Sequence, residues 1–288
     1  MNQENTKMKY IINTYCHDHV FDHQDLYNTC NKWVHNGENR PTDYDEILDK
    51  HKTGKWIDKF HNNYHLITLD HNDLQWMKEA AQIGFHTKVF SHLYDDDLEA
   101  TCQKYTIPAG DWFIRTDKVS LKYGQYGIGP YNNLKYIIKS MVTSNSKHSC
   151  FNETDQTCNI YFIPWKNIDI EKEFRVFVYN NQITAVSTQD LYNVNNWLTN
   201  IAQYGNEPIE VILDHIVEYF NSSIKEKLTY ISTYTYDFAF VGESMTPYFI
   251  EPNGFGDDYS AGSALFHWTN DHNKLYNGLS IALRYVNC

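Results

Sequence analysis

The amino-acid sequence predicts an α+β fold, in which strands paired as hairpins lie beside separate helices. Residues 173–188 and 234–256 both alternate apolar and polar side chains on either side of a short turn, as half-buried hairpin strands do. Between these two stretches, residues 208–228 repeat isoleucine and phenylalanine at helical spacing. Before residue 109, predicted strands and helices alternate, which indicates a mixed α/β N-terminal region.

The 288 residues and their composition exclude several classes of protein. A hydrophobic fraction of 42% with 23 Tyr, 15 Phe and 7 Trp is typical of a folded chain. The net charge of -12 argues against binding of long nucleic acid or of an anionic membrane. The N-terminus lacks a signal-peptide core and no apolar run approaches a membrane span, so we expect a cytoplasmic protein whose six scattered cysteines are reduced.

The N-terminal region, residues 1–108, carries no motif that indicates its role. Its predicted strands cover residues 8–15, 64–69 and 88–90. Its predicted helices cover residues 25–33, 44–60, 72–83 and 95–104, and Gly84 is expected to end the third of them.

Residue types that can bind metal cluster after the first predicted strand. They are Cys16, His17, Asp18, His19 and His23. No second group of ligands follows at the spacing of a zinc site, and among 14 histidines some will cluster by chance. A solvated loop therefore explains the cluster better than a metal site does.

A loop rich in cations and glycine follows the strand predicted at residues 112–115. Arg115, Lys118 and Lys122 precede three glycines, at positions 124, 127 and 129. This composition suits a mobile backbone that closes over phosphates. The spacing matches neither a P-loop nor a dinucleotide fingerprint, so a plain surface loop is an equal alternative.

A helix is predicted at residues 132–144, and an apolar strand follows at 159–163. The strand ends at Ile163 and leads into Pro164 and Trp165. This junction is a candidate hinge, where backbone groups could face a flat base.

The first hairpin carries a charge within an apolar strand. The Asn-Asn pair at 180–181 tolerates the positive φ of a two-residue turn, which pairs strands at 174–179 and 183–188. Arg175 lies inside the first strand, and a buried charge needs a partner. Either Glu173 or a bound phosphate would provide one. The predicted turn gives the hairpin a polar face, made of Glu173, Arg175, Thr188 and Asp190.

The second hairpin places acidic side chains opposite each other. If Asp237 lies across from Glu251, the polar face carries Asp237, Phe249, Glu251 and Asn253, and the apolar face carries Tyr236, Phe238, Phe240, Tyr248 and Ile250. Facing carboxylates need a countercharge, from either a basic side chain or a divalent cation. Oxygen ligands favour Mg²⁺ beside a nucleotide, so Asp237, Glu251 and Asn253 are the candidate metal ligands. The alternative is an ordinary amphipathic hairpin with exposed acids.

Several sequence blocks, taken in order, resemble the ATP-grasp proteins and, more narrowly, the cell division cycle protein 123 family. WKNIDIEKEFRVFV, at residues 165–178, is similar to that family's Trp followed by an EFR-x-FV strand. YTYDFAF, FIEPNGFG and ALFHW resemble its Asp-bearing strand, its acidic-x-Asn metal motif and its Leu-Phe-x-Trp ending. Arg115 and Lys122 stand where its two nucleotide-binding lysines stand, with arginine replacing the first lysine. The first hundred residues show no match to the family.

The resemblance implies an ATP-grasp architecture, in which a small subdomain at 109–165 and a large one at 166–288 clamp Mg-ATP. Phosphates would be held by Arg115, Lys122 and Arg175, and Arg175 is also the candidate catalytic residue. The full nucleotide-binding set comprises Arg115, Lys122, Ile163, Trp165, Arg175 and Asp190, and the metal set comprises Asp237, Glu251 and Asn253.

Two classes of function follow from the resemblance. One is an ATP-dependent assembly factor that acts on a subunit of a translation initiation factor. The other is a ligase that activates the carboxylate of a protein or small molecule as an acyl-phosphate and joins it to an amine. The motif WxxIxxExEFRxFV belongs to the assembly family, so the sequence favours the first class.

Overall fold

A computed structural model describes residues 9–15, 33, 39–144, 149–259 and 262–288 of the chain. These residues form two units, and each unit contains its own β-sheet and helices, so the predicted α+β class is confirmed. The first unit joins the described residues up to His51 with Asn167–Cys288, and the second unit is Lys52–Lys166. The division into three domains after residues 108 and 165 stays a prediction.

Secondary-structure elements are named here in chain order. The strands are β1 Tyr10–Tyr15, β2 His65–Leu69, β3 Trp112–Thr116, β4 Cys158–Pro164, β5 Glu173–Tyr179, β6 Gln182–Thr188, β7 Tyr234–Val241, β8 Thr246–Asn253 and β9 Ile281–Val286. The helices are α1 Tyr44–Lys50, α2 Thr53–Phe60, α3 His71–Thr87, α4 Asp95–Lys104, α5 Leu134–Thr143, α6 Asn196–Ala202, α7 Glu207–Tyr219, α8 Lys225–Lys227 and α9 His272–Leu275. A π-helical segment, Phe220–Ile224, joins α7 to α8.

The first unit contains a six-stranded sheet in the order β1-β9-β6-β5-β7-β8. β9 runs parallel to both β1 and β6, and the other neighbouring strands are antiparallel. Both predicted hairpins are confirmed, as β5–β6 and β7–β8. Asn180 and Asn181 have φ values of 49° and 60°, as the predicted two-residue turn requires. The predicted first strand is confirmed as β1, whereas β9 was not predicted.

Aromatic side chains cover the face of this sheet that packs against α7. Phe174 stacks on Phe238 with ring centroids 5.6 Å apart, and Tyr219 at the end of α7 approaches Phe238 to 5.8 Å. The apolar face of α7 buries three isoleucines and a leucine. The long helix predicted at 208–228 is confirmed, since α7, the π-helical segment and α8 follow one another without a break.

A β-bulge in the first hairpin changes which side chains share a face. The register shifts between Phe177 and Val178, so that Thr188 lies opposite Phe174 and Ser187 lies opposite Arg175. An extra residue in one strand reverses the alternation beyond it. The prediction that Thr188 shares the face of Arg175 is therefore wrong.

A second bulge, between Asp237 and Phe238, changes which side chains share a face in the β7–β8 hairpin. Phe249 lies opposite Phe238 and stacks on Tyr236 with ring centroids 6.3 Å apart, so it belongs to the aromatic face. Tyr248 lies opposite Ala239, two residues after Asp237 on β7. The predicted faces of Phe249 and Tyr248 are therefore exchanged.

The second unit contains a three-stranded antiparallel sheet with β4 between β2 and β3. A core of buried side chains joins this sheet to α3, α4 and α5, and it includes Met77, Leu98, Ile114, Ile138 and Phe162. The strands predicted at 64–69, 112–115 and 159–163 and the helices predicted at 95–104 and 132–144 are confirmed with small changes at their ends.

The helix predicted at 44–60 is interrupted, and α1 and α2 replace it. Lys52 is extended, with φ -57° and ψ 143°. Thr53, the first residue of α2, binds the end of β3, because its N–H donates to the Asp117 carbonyl at 2.9 Å and its hydroxyl donates to the Thr116 carbonyl at 2.7 Å. A tertiary contact thus overrides the continuous helical pattern.

Gly84 does not end α3, which continues to Thr87. A Cβ atom at Gly84 would lie 2.3 Å from the Val142 carbonyl oxygen, so the glycine allows α3 and α5 to approach closely. The helix ends at Lys88, whose φ is 60°. Residues 88–90 form no strand, and both predictions at this helix end are wrong.

Some predictions concern residues outside the described ranges, namely the cluster of Cys16, His17, Asp18, His19 and His23 and nearly all of the helix at 25–33. Cys102, Cys150 and Cys158 are free, but Cys288 is disulfide-bonded, so the expectation of reduced cysteines is wrong for Cys288. None of the helices that the structure describes combines the length and apolar character needed to cross a membrane.

Candidate functional site

Arg175 of β5 and Asp237 of β7 form an ion pair inside the sheet of the first unit. They lie directly opposite each other in the strand register. Nε of Arg175 donates to Oδ1 of Asp237 at 2.8 Å, and Nη2 donates to Oδ2 at 2.7 Å. The two side chains are only 13% and 3% exposed, so this two-point pair is largely shielded from water.

The charge on Arg175 is stabilised by its neighbours. Burial alone would lower the pKa of Arg175, because it disfavours the charged form. The carboxylates of Asp237, Glu251 and Glu173 outweigh burial and raise that pKa above its usual value. The sequence named Glu173 or a phosphate as the partner of Arg175, and the structure gives Asp237 as its hydrogen-bonded partner.

Glu251 and Asn253 of β8 lie on the same face as this ion pair. Glu251 is opposite Asp237, as the sequence predicted. Nδ2 of Asn253 donates to Oδ2 of Asp237 at 3.3 Å. The first unit thus brings together one cation, two carboxylates and an amide, from Arg175, Asp237, Glu251 and Asn253.

This donor set fits a hard divalent cation. A carboxylate has about four lone-pair positions, so a carboxylate that pairs with an arginine is also able to ligate a metal. Mg²⁺ usually takes one or two carboxylates, and water and phosphate oxygens complete its shell. Within the described residues, no three or more His, Cys, Asp or Glu side chains form a group that could hold a metal ion. A cation here therefore needs oxygens from the Asn253 amide, from water or from a ligand.

The ion pair belongs to a line of polar residues that crosses all six strands. Each member lies opposite the next in the strand register, and the members are Asn13, Arg284, Ser187, Arg175, Asp237 and Glu251. We call this line the polar row. Cross-strand partners share a face of a sheet, so the row is a polar band on the face opposite α7.

Residues 262–271, which we call the strap, cover part of the polar row. The carbonyl of Gly262 accepts from Nη1 of Arg175 at 2.7 Å. The N–H of Leu265 donates to the hydroxyl of Ser187 at 3.1 Å, and its carbonyl accepts from Nη1 of Arg284 at 2.9 Å. Asp271 accepts from both Nη atoms of Arg284, at 2.5 and 2.6 Å.

Arg115 and Lys122, the predicted phosphate-binding cations, belong to the second unit. Arg115 is 4% exposed, and its guanidinium lies 5.4 Å from the ring centroid of Trp56. Its Nε donates to the hydroxyl of Thr53 at 3.4 Å. Lys122 is exposed, and its ammonium lies 5.3 Å from the ring of Tyr123.

The glycine-rich loop after Lys122 is attached to α5. The N–H of Gln125 donates to the Thr143 hydroxyl at 2.8 Å, and the N–H of Tyr126 donates to the Ser140 hydroxyl at 3.1 Å. A Cβ atom at Gly124 would lie 2.3 Å from the Ser140 carbonyl oxygen. This glycine is therefore required for close contact between the loop and the helix, a role that its sequence context did not indicate.

Ile163, Trp165 and Asp190 make local contacts. Ile163 is buried in β4 opposite Phe113, and the N–H of Trp165 donates to the Asp111 carbonyl at 2.9 Å. Asp190, in the first unit, accepts from the backbone N–H groups of the residues two and three positions after it, at 3.0 and 3.2 Å. The carboxylate of Asp190 thus closes a turn beyond β6.

Sequence reasoning missed Ser187, Asp271 and Arg284. A usable signal existed for Arg284, which interrupts the apolar run IALRYV as Arg175 interrupts EFRVFV. The same rule about buried charges would have identified both arginines. No local signal marked Asp271, because its partner lies 13 residues away on a strand that was not predicted.

Comparison with known proteins identifies relatives of this chain. A family model described as D123 matches residues 133–287. No curated protein sequence matches the chain. A solved structure of Cdc123 from Schizosaccharomyces pombe is similar with a TM-score of 0.53 and 10% identity, over 84% of this chain and 97% of that one. A C-terminally truncated form of the same protein gives a TM-score of 0.55 and 11% identity, over 85% and 97%. At these identities the likeness establishes the fold.

Proposed function

The chain belongs to the D123 family, whose model matches more than half of its 288 residues, and from this premise we propose that it binds Mg-ATP as an ATP-grasp assembly factor. The family match and the fold shared with Cdc123 confirm the resemblance to the cell division cycle protein 123 family. By that resemblance, the proposed partner is a subunit of a translation initiation factor.

The group formed by Arg175, Asp237, Glu251 and Asn253 is the observation that carries the proposal. Three of the five N–H groups of Arg175 donate to Asp237 and Gly262, so among the described residues each Nη keeps one N–H for an anionic ligand. Two carboxylates and an amide lie beside these donors. A phosphate with a bound Mg²⁺ carries a negative charge that Arg175 can bind and a positive charge that the carboxylates can bind.

Each residue has a distinct role in the proposal. Arg175 donates to phosphate oxygens, and Asp237 holds its guanidinium in place. Asp237, Glu251 and Asn253 are the metal ligands. The metal, when bound, neutralises phosphate charge.

The nucleotide-binding set that the resemblance implies also includes Asp190 and residues of the second unit. Lys122 is exposed and charged, so it is the stronger candidate for a phosphate contact there. Arg115 is packed near Trp56, and we expect its substitution to affect the fold of the second unit more than nucleotide affinity. The backbone from Ile163 to Trp165 is the proposed contact for adenine.

Titration calorimetry with ATP, in the presence and absence of Mg²⁺, tests the metal assignment. We expect Mg²⁺ to strengthen ATP binding about tenfold or more in the wild type, a change of about 1.4 kcal/mol or more. Glu251→Ala should lose this metal-dependent gain. Glu243→Ala is the matched control, because Glu243 is exposed in the turn between β7 and β8. Equal ATP affinity with and without Mg²⁺, in wild type and Glu251→Ala alike, would contradict the assignment.

The fate of ATP separates an assembly factor from a ligase. An assembly factor retains ATP while it holds a protein partner, whereas a ligase releases ADP and phosphate once its carboxylate and amine are present. Affinity capture from cell extract with wild type and Glu251→Ala, together with an ADP-release assay, distinguishes the two. We expect a stoichiometric protein partner with the wild type and its loss with the variant. ADP release stimulated by extract, without such a partner, would make the chain a ligase.

A further inference from the structure

We propose that Arg284 and Asp271 are positioning residues, which set the orientation of Arg175 through the strap and thereby control its contact with phosphate. The identity of the ligand rests on the function proposed above, but the effect on Arg175 does not. Arg284 lies on β9 and Arg175 on β5, with β6 between them. Arg284 thus acts on Arg175 through the strap.

The strap has an arginine of the polar row bound near each end. At its start, the Gly262 carbonyl binds Nη1 of Arg175 at 2.7 Å. Toward its other end, Arg284 binds the Leu265 carbonyl at 2.9 Å and both oxygens of Asp271. The strap therefore links the two arginines through its own backbone.

Contacts within the strap and beneath it keep these two attachments in a fixed relation. The N–H of His267 donates to Oδ2 of Asp271 at 3.0 Å, which ties the middle of the strap to the carboxylate that binds Arg284. Phe266 and Trp268 are 2% exposed, and their ring centroids lie 5.4 and 5.5 Å from that of Phe177 on the sheet. A shift at Asp271 is therefore passed along the strap.

The contact with Gly262 is a third point at which the guanidinium of Arg175 is held. Asp237 occupies Nε and Nη2 and so fixes the plane of the guanidinium. The Gly262 carbonyl accepts one N–H of Nη1, which holds the planar guanidinium at its third nitrogen. Loosening the strap at Asp271 removes this third constraint while the ion pair with Asp237 persists.

The test uses Arg284→Lys, which keeps the charge but cannot make the two-point contact with Asp271. Arginine side-chain NMR follows the Nε–H signal of Arg175, which is assigned by its loss in Arg175→Lys. We expect this signal to shift, and its hydrogen exchange to become faster, in Arg284→Lys. ATP affinity should fall about tenfold, while affinity for adenosine, which has no phosphate, should stay unchanged.

A double-variant cycle shows whether Arg284 acts through Arg175. In the Arg175→Lys background, Arg284→Lys should cause no further loss of ATP affinity, because the group that it positions is already gone. General loosening of the fold would instead add to the loss and would weaken adenosine binding too. Asp271→Asn provides a second variant with the same expected outcome if Arg284→Lys does not fold.

Lys274→Met is the matched control, because it removes another cation that contacts Asp271, at 3.1 Å, and leaves the contacts of Arg284 with Asp271 and Leu265 in place. We expect the Arg175 signal and ATP affinity to be unchanged in this variant. An unchanged Arg175 signal in folded Arg284→Lys and Asp271→Asn would overturn the proposal. A shifted signal in a protein whose wild type does not bind ATP would support the positioning role and refute the proposed function.

Discussion

Replacing Arg175 by methionine should destabilise the sheet of the first unit by about 3–5 kcal/mol, because it leaves a buried carboxylate without its cation. The magnitude follows from the burial of the pair, since Asp237 is 3% exposed and cannot recover its lost contacts from water. Two charge-assisted hydrogen bonds to Asp237 and one to the Gly262 carbonyl are lost together.

A second substitution separates the charge effect from the loss of packing. In Arg175→Met/Asp237→Leu the buried pair is replaced by apolar side chains, and such replacements are often neutral or stabilising. We therefore expect the double variant to recover most of the lost stability, to within about 1–2 kcal/mol of the wild type. Arg40→Met is the surface control, because the side chains of Arg40 and its partner Asp45 are 44% and 82% exposed. An exposed pair of this kind contributes less than about 1 kcal/mol.

The measurement must report on the first unit alone, because the chain has two compact units and one global transition does not define the stability of either. Urea unfolding followed by hydrogen exchange, on peptides from residues 173–188 and 234–253, gives that local stability. A loss below about 1 kcal/mol in Arg175→Met, equal to that of the surface control, would refute the reasoning from burial. A double variant less stable than Arg175→Met would refute the assignment of the loss to an unpaired charge.

Three further predictions concern other parts of the fold. Burial works to raise the pKa of Asp271, but hydrogen bonds from its arginine partner and its neighbours hold it below the usual value. The pair of Asp271 with Arg284 therefore stabilises the fold above the unfolded pKa of about 4, and this stability is lost as pH falls through the lower folded pKa. In a titration of stability toward acid pH, Asp271→Asn should lack this loss. Gly124→Ala should lower stability by about 1–3 kcal/mol in urea unfolding, because its Cβ would meet the Ser140 carbonyl, whereas Gly127→Ala meets no atom within 4 Å and adds only the strain of its positive φ. Asn181→Val should destabilise by about 1–2 kcal/mol and Asn181→Gly by less, since φ is 60° there, and equal thermal shifts for both would contradict this.

The sequence was sufficient for features that depend on short-range patterns. The two-residue turn at 180–181 and the facing of Asp237 and Glu251 follow from strand alternation and turn chemistry, and both are confirmed. The faces of Thr188 and Phe249 were wrong because each hairpin contains a bulge. A bulge depends on how the strand fits its other neighbours, and the hairpin sequence alone does not specify it.

Long-range pairing was the other limit. Arg175 and Asp237 are 62 residues apart, and they meet because β5 lies between β6 and β7 in the sheet. The sequence indicated that Arg175 needed a partner and that Asp237 needed a countercharge, but strand order was required to see that each satisfies the other. Gly84 shows the same limit in a helix, where a contact with Val142 across two helices decides its role.

Stability alone does not explain why the polar row carries two buried arginines. Replacing a buried ion pair by apolar side chains of similar volume is often neutral or stabilising, so Arg175 with Asp237 and Arg284 with Asp271 give the fold little that leucine and methionine could not give. Within the part of the chain that the structure describes, Arg175 keeps an N–H on each Nη beside Glu251 of β8, which an apolar residue could not offer to a phosphate. Arg284 makes its contacts with the strap that holds Arg175, and a lysine could not reproduce its two-point contact. Ligand binding by Arg175 and positioning by Arg284 therefore account for the two buried charges. The double-variant cycle of Arg175→Lys and Arg284→Lys tests both roles together.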